Sequence, residues 1–197
     1  MHGLINRSLQ IFLQDNYGPA KWVEMSKKAG APTEGFEAML SYDTGVTHAL
    51  LESAESVLGK PRAALLEDLG SFIVSHGNEE RVRRLLRFGG EDFVGFLHSL
   101  EDLRDRAQLA VPDLDMPVIE VRDEPPTRFQ LICSEPFPGT SQVLQGVLWA
   151  MADDYGALVL IDLVPPSKPG EAAEISIELL DSSHTEGRSF RLASGAG

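Results

Sequence analysis

The chain of 197 residues contains a single cysteine, Cys133. One thiol permits no disulfide within the chain and no zinc site built on thiolates, so a reducing cytoplasm is the expected compartment. Bases are also scarce, with 17 Lys and Arg against 30 Asp and Glu and a formal net charge of −13. That balance disfavours nucleic acid and anionic membrane as partners, since both need clustered cations to displace counterions. No apolar run approaches the roughly 18 residues of a membrane span. The N-terminus lacks the basic-then-apolar order of a signal peptide. G-x-S-x-G, a phosphate loop, His-Glu-x-x-His and Gly-x-Gly-x-x-Gly are all missing, so no enzyme class is indicated.

What is present is enough to build a core. The composition is 43% apolar, which suits one compact unit or two coupled subdomains. Helical spacing runs over 4–16, 21–29, 44–58, 62–70, 79–88 and 92–108. Asp43 or Thr44 serves as an N-cap, Pro61 opens a helix, and Gly30 and Gly59 read as stops. Beyond Pro112 and Pro117 the pattern shortens to alternating runs at 118–122 and 129–133. A helix over about 141–155 and strands at 157–164, 174–180 and 189–192 follow. The fold class is therefore α+β, a helical N-terminal subdomain followed by a mostly antiparallel C-terminal sheet with helices. The segment joining 163 to 174 is a proline-rich loop or hairpin, and Cys133, inside the apolar run 129–133, is expected to be a small buried hydrophobe.

The segment 92–108 carries the sharpest feature. Phe93, Phe96, Leu97, Leu100, Leu103 and Ala107 recur at the spacing of a buried helical stripe, and Arg104 stands at its edge one turn after Leu100. Either the arginine snorkels, paired with Asp105 or Glu101, or it faces a pocket and needs an anion. Glu120, Glu135 and a ligand head group are the candidate anions. The histidines offer little as metal ligands. His98 precedes Arg104 by six residues and points about 120° away from it on a continuous helix. His76 follows a helix end, and His2, His48 and His184 have no partner at ligand spacing, so no metal site is expected. Arg81, Arg83, Arg84 and Arg87 form the densest basic patch, read as a solvated face or a dock for an acidic protein.

Met1–His–Gly–Leu–Ile–Asn6, Asn16–Tyr–Gly, Trp22, Lys28–Ala–Gly30, Ser56–Val–Leu–Gly59, Asp68–Leu–Gly70, Phe96–Leu–His–Ser–Leu–Glu–Asp–Leu103 and Val111–Pro–Asp–Leu–Asp–Met–Pro117 together give a pattern that resembles the haem nitric oxide/oxygen binding (H-NOX) family. The resemblance implies a single domain over 1–193, with residues 1 to about 60 as a distal helical subdomain, about 61–193 as proximal helices and sheet, and 194–197 as a tail. Haem lies between the two parts in that family. The family's axial histidine matches Arg104, and its propionate-gripping Tyr-x-Ser-x-Arg motif falls on Ile132, Ser134 and Pro136, so only the serine is retained. The proline matching Pro112 presses on the porphyrin near a hinge, and His76 would approach an iron from the distal side. Guanidinium has no free lone pair for iron, so no cofactor is expected.

The function implied is a haem-independent sensory or regulatory domain, not an enzyme. An apolar anionic ligand such as a fatty acid would occupy the former haem pocket. The candidate ligand-binding residues are Arg104, Phe93, Leu97, Leu100, Pro112 and Ser134, of which Ser134 is expected to make a local hydrogen bond. A ligand-free protein-interaction module, or a gas sensor retaining haem through a non-standard ligand, are the alternatives. Partners implied by the resemblance are guanylate cyclases in animals, and histidine kinases, diguanylate cyclases or chemoreceptors in bacteria. The chain is either a stand-alone regulator or the input of a longer protein.

Overall fold

Gly3 begins the first helix because nothing larger fits there: a Cβ on it would stand 2.1 Å from the Glu37 carbonyl oxygen. The computed structural model describes residues 1–76, 86, 90–168 and 170–181. Helix α1 (Gly3–Tyr17) is N-capped by His2, whose Nδ1 accepts from the Leu4 amide. Helix α2 (Pro19–Ala29) has proline in its first turn, where no amide is missed, and ends on Gly30 at φ 66°. Helix α3 (Thr44–Leu58) is capped by the Asp43 carboxylate and closed by left-handed Gly59.

Helix α4 (Arg62–Ser75) runs one turn beyond the expected stop at Gly70. That glycine is a contact and not a terminus. It lies against α7 (Thr140–Tyr155), where its own missing Cβ and that of Gly146 let the two backbones touch. Ser71 donates its hydroxyl to the Gly146 carbonyl at 3.1 Å across the same crossing.

The expected single helix over 92–108 is broken. Helix α5 (Phe93–Ser99) passes into a 3₁₀ turn (Leu100–Asp102) and then α6 (Leu103–Ala110). Ser99 donates to the Phe96 carbonyl at 2.7 Å and Arg106 reaches the Ser99 carbonyl, which draws backbone acceptors off the α-helical ladder. The helix expected over 79–88 and the strand at 189–192 lie outside the described residues, apart from Leu86, which is helical and buried.

Strands β1 (Ile119–Glu124), β2 (Arg128–Cys133), β3 (Leu158–Val164) and β4 (Ala173–Asp181) form one antiparallel sheet in the order β1-β2-β4-β3. Two apolar cores result. The first joins Leu9, Phe12 and Leu13 of α1 to Trp22, Leu50, Leu66 and Leu69 on α2–α4. The second joins the α5 stripe to Leu131, Ile175 and Ile177 on the inner face of the sheet and to Leu148 and Met151 of α7. Helix α4 serves both, since Val74 belongs to the second core.

Candidate functional site

The expected apolar cavity is filled. Phe93, Leu97 and Leu100 are all buried in the second core, with Phe96 beside them and the sheet packed over them. Arg104 does not share that environment and is exposed. The 3₁₀ turn explains the difference. Three steps of about 120° in place of 100° move Arg104 from roughly 40° to roughly 100° off the Leu100 direction. Leu103 takes the inward position instead. A pocket cation walled by Phe93, Leu97 and Leu100 is therefore corrected to a surface cation one turn beyond a closed core.

Arg104 makes no ion pair or hydrogen bond among the described residues, and three of the four carboxylates expected near it are occupied. Glu120 accepts from Arg122 Nε at 2.9 Å, and Glu101 accepts the Val121 amide at 3.0 Å. Glu135 takes the amides of Gly139 at 2.8 Å and Ser141 at 3.0 Å, and so holds the start of α7. Arg104 instead lines an open cleft of about 330 Å³ with Asp115, Met116, Ser134, Pro136 and Glu171. A smaller cleft of about 210 Å³ shares Asp115 and Pro136 with it and is lined further by Met1, His2, Ile5 and Phe137.

Ser134 hydrogen-bonds locally. Its Oγ accepts the Val118 amide at 2.7 Å while its own amide donates to the Val118 carbonyl at 2.9 Å. Pro112 is exposed, and of the two prolines it is Pro117, five residues on, that is buried. Cys133 is buried as expected, and loss of solvent, with the Glu135 charge as the lesser cause, pushes its thiol up to about 12.

The described histidines are engaged away from a common point. His76 Nε2 lies 3.4 Å from Asp15 with its ring stacked on Phe72, and His98 Nε2 lies 3.3 Å from Asp123. His48 Nδ1 is 3.0 Å from the Arg62 guanidinium, and His184 and the arginines from Arg81 to Arg87 lie outside the described residues. Among the described residues no group of three or more His, Cys, Asp or Glu could hold a metal ion.

One feature of the site was missed from sequence. The turn after β2 carries Phe137 across into the first core, where His48 faces its ring at 5.7 Å and Arg62 reaches the Pro138 carbonyl at 3.5 Å. The signal was a phenylalanine bracketed by Pro136 and Pro138, an apolar side chain on a stiffened turn. The turn that borders the Arg104 cleft thus ties the sheet to the helical core.

The residues do not fit an iron bond at position 104, because a guanidinium offers donors and no lone pair. Ile132 and Pro136 likewise supply neither the hydroxyl nor the cation that grip propionates.

The family model described as haem-NO-binding matches residues 2–162. The soluble guanylate cyclase gcy-31 of Caenorhabditis elegans is 23% identical over 165 residues, which is 83% of this chain and 24% of that protein. This chain thus spans about a quarter of that relative's length. An H-NOX protein from S. oneidensis in the Fe(II)NO ligation state superposes with a TM-score of 0.76 at 18% identity, over 92% of this chain and 100% of that one. The Fe(II) unliganded H-NOX protein from K. algicida gives 0.79 at 15%, over 92% and 97%. These structures share the helices-then-sheet fold. The expectation of no cofactor is corrected by the same findings, since the matching family is defined by haem and its solved neighbours carry Fe(II). With the family model covering residues 2–162 and the fold in agreement, the chain belongs to the haem-NO-binding, or H-NOX, family.

Proposed function

We propose that this chain is a sensory or regulatory H-NOX domain whose output is contact with a signalling protein, of the histidine kinase, diguanylate cyclase or chemoreceptor kind, in the cytoplasm. The observation that supports it is the closed stripe. Phe93, Leu97 and Leu100 are spent on packing against the sheet, and Arg104 stands outside. The fatty-acid reading loses its tail pocket on the same ground. A long apolar chain needs an apolar cavity, and the cleft at Arg104 is open and flanked by Asp115 and Glu171. Among the described residues no helix is long and apolar enough to cross a membrane.

The turn 134–138 is the route by which an event at the cleft reaches both cores. It borders Arg104 on one side and places Phe137 in the helical core on the other. A change there alters how the two cores meet, which is the kind of two-state element a signalling surface requires.

Two measurements test the reading. Calorimetry of dodecanoate into delipidated protein gives no saturable heat, whereas binding lost in Arg104→Met would restore the lipid sensor. Autophosphorylation of a histidine kinase, or cyclic dinucleotide formation by a diguanylate cyclase, from the same organism changes with added domain. A panel of such effectors that all ignore the domain would overturn it.

A further inference from the structure

Among the described residues β3 is an unpaired edge of the sheet, and it is built as few isolated edges are. Strand β3 reads Leu158–Val–Leu–Ile–Asp–Leu–Val164, with no lysine, arginine or proline to protect it. Its inward residues Val159 and Ile161 belong to the second core. Three of its four outward residues are also apolar, Asp162 being the exception: Leu158 is 57% exposed, Leu160 51% and Val164 59%, joined by Leu180 of β4 at 50%. A one-sided antiparallel sheet normally alternates apolar with polar, so a strand apolar on both faces expects cover on both.

The register surrounds this strip with acid. Glu178 lies opposite Leu160, Glu174 opposite Val164, and Asp162 sits between them on β3. Of the bases around it, Arg128 is spent on Glu178 at 3.1 Å, and Lys168 stands in the loop from β3 to β4.

Resting on the protein-output reading above, we propose that β3 and the adjoining outer face dock an extended segment of the signalling partner in which every second side chain is apolar except for one Lys or Arg in the same series. The partner's backbone pairs with the open edge as a fifth strand, and the side chains it turns to the outer face meet β3 there: the apolar ones cover Leu158, Leu160 and Val164, and the base meets Asp162. Charge chooses this occupant over a second copy. Two copies meeting here would set Asp162, Glu174 and Glu178 against their own kind on chains of net charge −13.

The test uses a fluorescent ten-residue peptide, Thr-Val-Thr-Val-Thr-Arg-Thr-Val-Thr-Val, which sets its valines and its arginine on one face, read by anisotropy on the full chain. It binds saturably, and matched peptides with the valines replaced by serine, or the arginine by glutamate, bind at least tenfold more weakly. Leu160→Lys weakens binding of the first peptide at least tenfold. Leu109→Lys, the same charge change at a leucine 88% exposed at the end of α6, leaves it within twofold. Equal weakening by both would reduce the effect to net charge and overturn the proposal. A concentration-dependent dimer abolished by Leu160→Lys would assign the face to a second copy. A tenfold gain in peptide affinity on joint Arg188→Glu and Arg191→Glu substitution would assign it to the chain's own 188–192 segment. In the effector assay, a response that survives Leu160→Lys overturns this surface while leaving the regulatory role intact. Peptide binding with no effector response would do the reverse.

Discussion

Gly70 of α4 packs so closely against Val143 of α7 that a Cβ on the glycine would stand 2.0 Å from the valine carbonyl oxygen. The contact is reciprocal, since a Cβ on Gly146 would stand 1.9 Å from the Glu67 carbonyl oxygen. The obstacle is backbone on both sides, so the helices themselves must part. Gly146→Ala is expected to cost at least the 1–3 kcal/mol or so of an overpacked core, despite alanine's better helix propensity. Urea unfolding reads this directly, and a gain in stability would show that the crossing is looser than described.

Burial of Cys133 makes a prediction about pH. A thiol raised from 9.0 to about 12 stays protonated in the folded chain while the unfolded chain ionises. The unfolded state then binds fewer protons, so this contribution is fully present below about pH 9 and is lost as pH rises toward 12. The slope is at most about 1.4 kcal/mol per pH unit. Cys133→Ala should flatten the stability profile between pH 9 and the onset of alkaline unfolding, and native protein at pH 8 should resist thiol reagents until urea is added. Rapid labelling of the native chain would contradict both.

Exposure of Arg104 makes it energetically quiet. Arg104→Met should alter unfolding free energy by no more than about 0.5 kcal/mol, because no buried partner is left behind. Haem reconstituted into the wild type and into Arg104→Met should give the same Soret band, since the arginine cannot ligate iron. A shifted band in the variant would place residue 104 at the metal.

Much of the fold was legible because its signals are local. Caps at Asp43, Gly30 and Gly59 mark helix ends through backbone chemistry that needs no tertiary partner, and the alternation over 129–133 fixes which face of β2 is buried. Gly70 misled because a stop and a close contact look alike in sequence, and only the position of α7 separates them. The site was harder still. Arg104 was placed by continuing the α-helical phase through Leu100, and the 3₁₀ turn rotates everything after it. The destination of Phe137 was unreadable for the opposite reason, since His48 and the core it joins are remote along the chain.

The closed stripe is the claim on which the rest depends, and Leu97→Ala measures it most directly. Leu97 is 0% exposed, inside the second core. Its truncation should therefore cost about 2–5 kcal/mol of unfolding free energy in urea, as a cavity in a packed interior does. Saturating dodecanoate should leave the wild-type midpoint unchanged. A loss below about 1 kcal/mol, together with a wild type stabilised by dodecanoate, would mean that these side chains wall a ligand pocket after all.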